Sequence, residues 1–331
     1  MMKKTRFLLR IAAFFLLFCL LLYGADRLLV DRSAAPRTES FYAEPEDSID
    51  VLLIGSSRIM CGVYPLLLWE KYGIAAFDCA GSAQVIAQSY FQLKDALNYQ
   101  SPRLVVVDVS TVANGNVYTG VESFVHTQLD HMRSPLVRLS AIFTLVPKKD
   151  RVEYLFPIVK YHTRWSEVRA EDFDQPADIC RGAVVYTGFS EKEEVLPPEL
   201  IARSVAGELH DIPELYLRKT VELCRKHGAE VLFVNLPCVR DAEFQRAYNA
   251  VDALAEELGV PYINYLYEDS LGLDYEREMF DTAHLNSAGA EKLTAALGAY
   301  IRENYDIPDR RGDAAYARWH ADLADFRQKY Y

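Results

Sequence analysis

Two short segments of the chain carry the residue types of nucleophilic acyl chemistry. The first is Gly55-Ser56-Ser57-Arg58, and the second is Phe280-Asp281-Thr282-Ala283-His284-Leu285-Asn286. A serine hydroxyl is a poor nucleophile until a base takes its proton. Histidine is the best such base near neutrality, and a carboxylate on its other ring nitrogen fixes the tautomer and stabilises the cation. Asp281 and His284 stand three apart on one segment, so they can make that contact directly. Gly55 permits a tight turn, and the Ser57 N–H, near a helix start, is placed to help bind an oxyanion. Each segment also has an ordinary reading. A Ser-rich turn after a strand is usually a turn or a helix cap, and an Asp-x-x-His pair arises readily by chance.

What joins the two segments is their position along the pattern of elements. Strand-like apolar runs recur at Ile49–Ile54, Ile74–Phe77, Leu104–Val109, Glu230–Val234 and Pro261–Asn264. Short, continuous, β-branched runs suit a parallel sheet covered on both faces. Helical patterns fall at Ala83–Asn98, Pro213–His227 (ended by Gly228), Asp241–Leu258 (ended by Gly259) and Asn286–Tyr300. This alternation predicts a three-layer α/β/α domain with a mostly parallel, flavodoxin-like sheet, over residues 49–303. Ser57 then follows the first strand. Asp281 and His284 follow the last strand and precede the last core helix. All three belong at one edge of the sheet. Residues 113–203, rich in aromatics and histidine, show no βα unit and read as an insertion, either a cap over the site or a structural subdomain. It begins on the carboxyl side of a strand, where ligands bind in open α/β sheets. Residues 304–331 read as a helical tail, with Tyr316, Trp319, Leu323 and Phe326 at helical spacing.

Here the sequence resembles the SGNH/GDSL hydrolases. Val51-Leu52-Leu53-Ile54-Gly55-Ser56-Ser57 is similar to the family's first block, with Ser57 at the nucleophile position and Ser56 where Asp is usual. Asp281-Thr282-Ala283-His284 is similar to its last block. Phe77-Asp78-Cys79-Ala80-Gly81-Ser82 sits where the second block supplies an oxyanion-hole glycine, best matched by Gly81. The third block's Gly-x-Asn-Asp is absent, and Asn114 is the candidate for its amide donor. The resemblance covers roughly residues 49–110 and 210–303. It implies an acyl-Ser57 mechanism without a cofactor, with Asp281 and His284 completing the triad and an oxyanion hole of Ser57, Gly81 and Asn114. Arg58 would contact an anionic substrate or form a surface salt bridge. The Gly-Ser-Ser form behind an N-terminal anchor is similar to the cell-envelope branches, which include the teichoic-acid D-alanylation protein and alginate-type O-acetyltransferases. That implies an esterase or O-acyltransferase whose partners are a cell-envelope polysaccharide or other acylated glycopolymer and a membrane-bound O-acyltransferase. A non-catalytic assembly module on the same fold is the alternative.

The N-terminus bears on location. Lys3, Lys4, Arg6 and Arg10 precede an apolar run from Ile11 to Ala25. With Phe7–Leu9 and a snorkelling Arg10, the run is long enough to approach a bilayer span. Residues 1–25 therefore read as an uncleaved signal anchor, with a cleaved signal peptide as the competing reading. The excess positive charge lies before the run, so the domain behind it is expected on the extracytoplasmic side of the cell membrane. Residues 26–48 read as a tether. A net charge of −11 makes the chain a poor partner for nucleic acid. The six cysteines form no CxxC pair, and they read as small buried residues, with a Cys61–Cys79 disulfide as the alternative. His126, His131 and His162 match no metal-ligand spacing.

Overall fold

The computed structural model describes residues 2–32, 35–174, 177–189 and 195–331. Its centre is a five-stranded sheet: β1 (Val51–Ile54), β2 (Ala76–Asp78), β3 (Leu104–Asp108), β4 (Glu230–Asn235) and β5 (Tyr262–Asn264). All pairings are parallel, and the spatial order is β2-β1-β3-β4-β5. Leu52 sits between Phe77 and Val105, and Val107 lies opposite Phe233. Every residue of β1, β2 and β3 is buried. Helices on both faces require that, and the uninterrupted apolar runs encode it.

Helices cover the two faces. On one, Ile86–Ala96 packs against Asp211–Lys226, which also meets Ala242–Leu258. On the other, Ser287–Asn304 packs on Pro65–Tyr72, and Ala317–Tyr330 lies against Pro65–Tyr72. Trp319 meets Trp69 at 5.2 Å and Phe326 meets Tyr64 at 5.9 Å between ring centres. The protein is thus a three-layer α/β/α fold with flavodoxin-like strand order. From β1 the chain crosses to one side for β2 and to the other for β3. The switch point, and hence the ligand crevice expected of such a sheet, lies beyond the carboxyl ends of β1 and β3.

Some local expectations shift. The helix expected from Ala83 begins at Ile86, because Ala83 adopts a left-handed φ of 48° that cannot continue a helix. The last core helix runs on from Tyr300 to Asn304. Within residues 26–48, read as a tether, Ala35–Ala43 is a helix that packs on the domain. Phe41 meets Phe77 at 5.2 Å, and Arg37 donates to the carbonyls of Gly182 and Ala80. The described residues between 113 and 203 contain helices Glu122–Leu129, Pro135–Leu145, Arg151–Leu155 and Ile158–Tyr161 and no strand. Residues 180–186 then pass over the carboxyl edge of the sheet. The Arg181 carbonyl accepts from Asp78 N–H at 2.9 Å, Val184 N–H donates to Met60 at 2.8 Å, and the Tyr186 carbonyl accepts from Ser287 N–H at 2.7 Å.

The first helix, Met2–Leu29, contains an 18-residue stretch of mean hydropathy 2.3, none of it buried, and is long and apolar enough to cross a membrane. Its end is tied to the insertion: Leu29 and Val30 pack with Tyr161.

Candidate active site

The site is built from three chain segments that the sheet brings to one rim. β1 is followed by Gly55, whose φ is +146°. A Cβ there would lie 2.4 Å from Asp108 Cβ, so the close approach of β1 and β3 at this point requires glycine. Ser56 follows as the N-cap of the helix Ser57–Gly62. Ser57 is the first residue of that helix, where an N–H has no intrahelical carbonyl to bond.

A second segment is the loop after β5, and the third, the end of β3, is described below. Asn286 caps the helix Ser287–Asn304, accepting from the Ala288 and Gly289 amides, and its own side-chain amide donates to the carbonyls of Arg277 and Gly188. Val239 N–H donates to the Thr282 carbonyl at 2.8 Å, and Phe280 N–H donates to His284 at 2.8 Å. These bonds leave the loop little freedom, and on it Asp281 and His284 face Ser57.

The structure brings the three side chains together. Ser57 Oγ lies 2.8 Å from His284 Nε2, and His284 Nδ1 lies 2.9 Å from each Asp281 oxygen. The carboxylate fixes the tautomer by accepting the Nδ1 proton, which leaves the Nε2 lone pair toward the hydroxyl. Burial alone would raise the Asp281 carboxyl. The His284 ring N–H and the amides of Ala283 and His284 outweigh it and hold Asp281 below the usual carboxylate range. Asp281 therefore stays ionised and keeps the imidazole aligned. The side chains of His284 and Asp281 are 20% and 27% exposed, which leaves an approach for a reactant. Tyr186 stacks on Phe280 at 4.2 Å and stands edge-on to His284 at 5.8 Å.

Sequence reasoning assigned nothing to Asp108, yet it organises the nucleophile turn. Its Oδ2 accepts from Ser56 N–H at 3.0 Å, Ser56 Oγ at 2.7 Å and Ser110 Oγ at 2.8 Å, and its Oδ1 accepts from Ser110 N–H at 2.8 Å. Ser56 stands where an aspartate was expected, and the carboxylate comes instead from the end of β3. The available signal was a lone acid closing the apolar run Leu104–Val107.

Other expected residues lie elsewhere. Arg58 neither points toward a substrate nor forms a surface ion pair. It is buried, and its Nη1 donates to Cys238 Sγ at 3.1 Å and Tyr248 Oη at 3.0 Å. The short helix turns the side chain inward, beneath the site. Burial disfavours its charge, but Cys238, Tyr248 and Asp108 together hold its pKa above the ordinary value. Tyr248 in turn donates to the Ser110 carbonyl at 3.2 Å. The Gly81 N–H, expected to face an oxyanion, donates to the Gly55 carbonyl at 3.1 Å, because β1 and β2 continue their pairing past the strand ends. Asn114 sits in the loop after β3 with its Oδ1 accepting from Asn116 N and Nδ2, both at 3.1 Å. Its Oδ1 is thus engaged within its own loop.

All six cysteines are free, and five are buried, so Cys61 and Cys79 are not bridged. The three histidines do not share a site: His131 bonds the Asp31 carbonyl and His162 the Val159 carbonyl. His126 bonds Asp130 and lies with Glu122 and Glu153, ligand atoms within 4.8 Å of one another, but Glu122 is already paired with Lys160.

No family model matches the chain, and no curated protein sequence matches it either. Solved structures do resemble it. TesA matches with a TM-score of 0.39 at 13% identity, covering 76% of this chain and 98% of its own. A catalytic mutant of an acetylxylan esterase from Geobacillus stearothermophilus matches at 0.39 and 12%, covering 80% and 98%. A GDSL-like lipase from Bacteroides thetaiotaomicron matches at 0.38 and 12%, covering 76% and 87%. Scores and identities this low carry no functional inference, and the reading of the site rests on its own geometry.

Proposed function

We propose that this chain is an SGNH-type serine esterase or O-acyltransferase, acting on acyl esters of cell-envelope glycopolymers from a single-pass anchor in the cell membrane. The observation that carries the reading is the hydrogen-bonded line from Ser57 Oγ through His284 to Asp281. In this reaction His284 takes the Ser57 proton as Oγ attacks the ester carbonyl carbon. The Ser57 N–H stabilises the tetrahedral oxyanion, and the departing alkoxide leaves with the proton from His284. Water or a sugar hydroxyl, deprotonated by the same imidazole, then resolves the acyl-Ser57 ester. Water gives hydrolysis and a sugar gives transfer.

The apolar helix with Lys3, Lys4, Arg6 and Arg10 before it supports the anchor, with residues 49–303 as the extracytoplasmic domain and a membrane-bound O-acyltransferase as a partner. A second reading, a non-catalytic assembly module, is favoured by one observation: the Gly81 amide is spent on Gly55, so one oxyanion donor is missing, worth about 3 kcal/mol. A fluorophosphonate probe separates the two. Labelling that disappears in Ser57→Ala supports the enzyme, whereas well-folded wild-type protein that takes no label supports the module. Mass spectrometry of acyl groups on envelope polymers, with and without the gene, then identifies the substrate.

A further inference from the structure

A groove of about 770 Å³ lies where the N-terminal helix meets the insertion, within the ~300–1,000 Å³ common for small-ligand sites. The first helix contributes Tyr23 and Arg27, and the helix Pro135–Leu145 contributes Leu136, Leu139 and Ile142. The junction between them is fixed by hydrogen bonds. Asp26 Oδ1 accepts from Ile158 N–H at 2.6 Å, and Arg164 Nη1 donates to the carbonyls of Leu29 and Val30 at 2.8 and 2.7 Å. The height of the insertion along the first helix is therefore set by the fold and not left to a loose tether.

That height decides what the groove faces. A span starting at Phe7 crosses a ~30 Å hydrocarbon core in about 20 residues at ~1.5 Å each, so it ends near Asp26. Tyr23 then lies at the apolar edge, where tyrosines gather, and Arg27 at the level of the headgroups. Leu136 and Leu139 share the groove with both. They are 81% and 43% exposed, and Phe143, one turn further on the same stripe, is 51% exposed. Val137, Ala141 and Leu145 bury another face of that helix against the domain. A helix that is apolar all round belongs in apolar surroundings on every side. The fold covers one face, and the adjacent end of the membrane-crossing helix indicates that lipid covers the other. The groove also presents two exposed cations, Arg27 and Arg133, neither of which forms an ion pair among the described residues. Arg133 lies over the Tyr42 ring at 4.3 Å. The groove's acids are already engaged: Asp26 with the Ile158 amide, and Asp130 with His126, Arg138 and Tyr161.

We propose that this groove seats an anionic phospholipid of the surrounding bilayer, its acyl chain along Leu136, Leu139 and Ile142 and its phosphate at Arg27 and Arg133; the proposal rests on reading the first helix as a membrane anchor. The chain removes the exposed leucines from water. The phosphate gives two unpaired guanidinium groups the planar oxyanion partner that suits them. A zwitterionic lipid offers the same phosphate but carries its own cation beside it, so a headgroup with net negative charge binds better. The insertion thereby becomes a second contact with the membrane beside the anchor, and it holds the catalytic domain on the bilayer in one orientation.

The test uses the full chain in two arms. In the first, a bimane fluorophore is placed either on the native, exposed Cys19 or on Leu139→Cys in a Cys19→Ser background, the other cysteines being buried. The labelled protein is reconstituted into bilayers of phosphatidylcholine and phosphatidylglycerol with brominated acyl chains. Loss of emission is expected at both positions. Quenching at Cys19 without quenching at position 139, as when a second copy or another protein covers the groove, overturns the lipid site and leaves the anchor standing. Quenching at position 139 alone removes the anchor reading, and quenching at neither removes both. In the second arm, native mass spectrometry reads the lipid kept by detergent-purified protein after exposure to an equimolar mixture of the two lipids. Wild type should retain phosphatidylglycerol over phosphatidylcholine by at least about fivefold, and Arg27→Gln and Arg133→Gln should each lower that ratio severalfold. Thermal unfolding identifies a misfolded variant, in which case the other arginine carries the comparison. Equal retention of the two lipids by wild type, or a preference unchanged in the arginine variants, overturns the site.

Discussion

Replacing Asp108 by asparagine tests whether the nucleophile turn is held by a carboxylate borrowed from β3. In the native turn four hydrogen atoms point at that carboxylate, from the amides and hydroxyls of Ser56 and Ser110. The hydroxyls can rotate to accept from a new amide, but the two backbone N–H groups cannot. Whichever way the introduced carboxamide flips, its NH₂ faces one of them. One buried N–H without an acceptor costs about 1–3 kcal/mol. Arg58 also loses a supporting anion, since its direct partners Cys238 and Tyr248 are formally neutral. A buried cation left uncompensated is costly, and the two effects together amount to about 3–5 kcal/mol, a large share of an ordinary domain's ~5–15 kcal/mol. Urea unfolding should show the midpoint falling with the slope unchanged. Below that midpoint, in protein that is still folded, the rate of fluorophosphonate labelling at Ser57 should fall at least about tenfold, corresponding to about 1.4 kcal/mol of barrier. Ser110→Ala, which removes one hydroxyl donor and no backbone partner, should cost only about 1 kcal/mol. If Asp108→Asn changes stability by less than about 1 kcal/mol and leaves the labelling rate as it was, the carboxylate does not hold the turn.

Asp281→Asn should lower kcat on an aryl acetate by about 10³–10⁴-fold with little loss of fold, because the imidazole loses its tautomer partner; a loss below about tenfold would remove Asp281 from the triad. Asp78→Asn should stabilise the protein at neutral pH. The native carboxyl, at about 7 against 3.8 when exposed, resists ionisation in the fold, so it lowers stability progressively as pH rises from about 4 to about 7. The gain of the variant over wild type should therefore vanish near pH 3 and approach about 4 kcal/mol above pH 7; urea midpoints across that range check it, and a pH-independent difference would contradict it. Gly55→Ala should destabilise by about 3 kcal/mol or more, since its Cβ would meet Asp108 Cβ at 2.4 Å; thermal unfolding within about 2 °C of wild type would show that the turn tolerates a side chain.

The sequence by itself determined the parallel sheet, its covering helices and the chemistry at its rim. Val51–Ile54 and Leu104–Asp108 are buried along their whole length, so they must be apolar at nearly every position, and that pattern is local and legible. The same holds for the apolar run of the N-terminal helix. Ser57, Asp281 and His284 were legible because strand order puts them at one edge, although an Asp-x-x-His pair arises readily by chance. What only the tertiary structure decided are the partners of polar groups, which are chosen across long separations. Asp108 meets Ser56 from 52 residues away, and Arg58 meets Tyr248 from 190. No period in the chain records such choices. The direction of Arg58 follows from the few residues of its helix and the space beneath it. The Gly81 amide is taken by Gly55 because two strands happen to stay in register beyond their ends. Ala35–Ala43 is polar in composition and reads as a tether until Phe41 and Arg37 find Phe77, Ala80 and Gly182. Burial of apolar surface is written locally, whereas hydrogen-bond complementarity is settled only when distant segments meet.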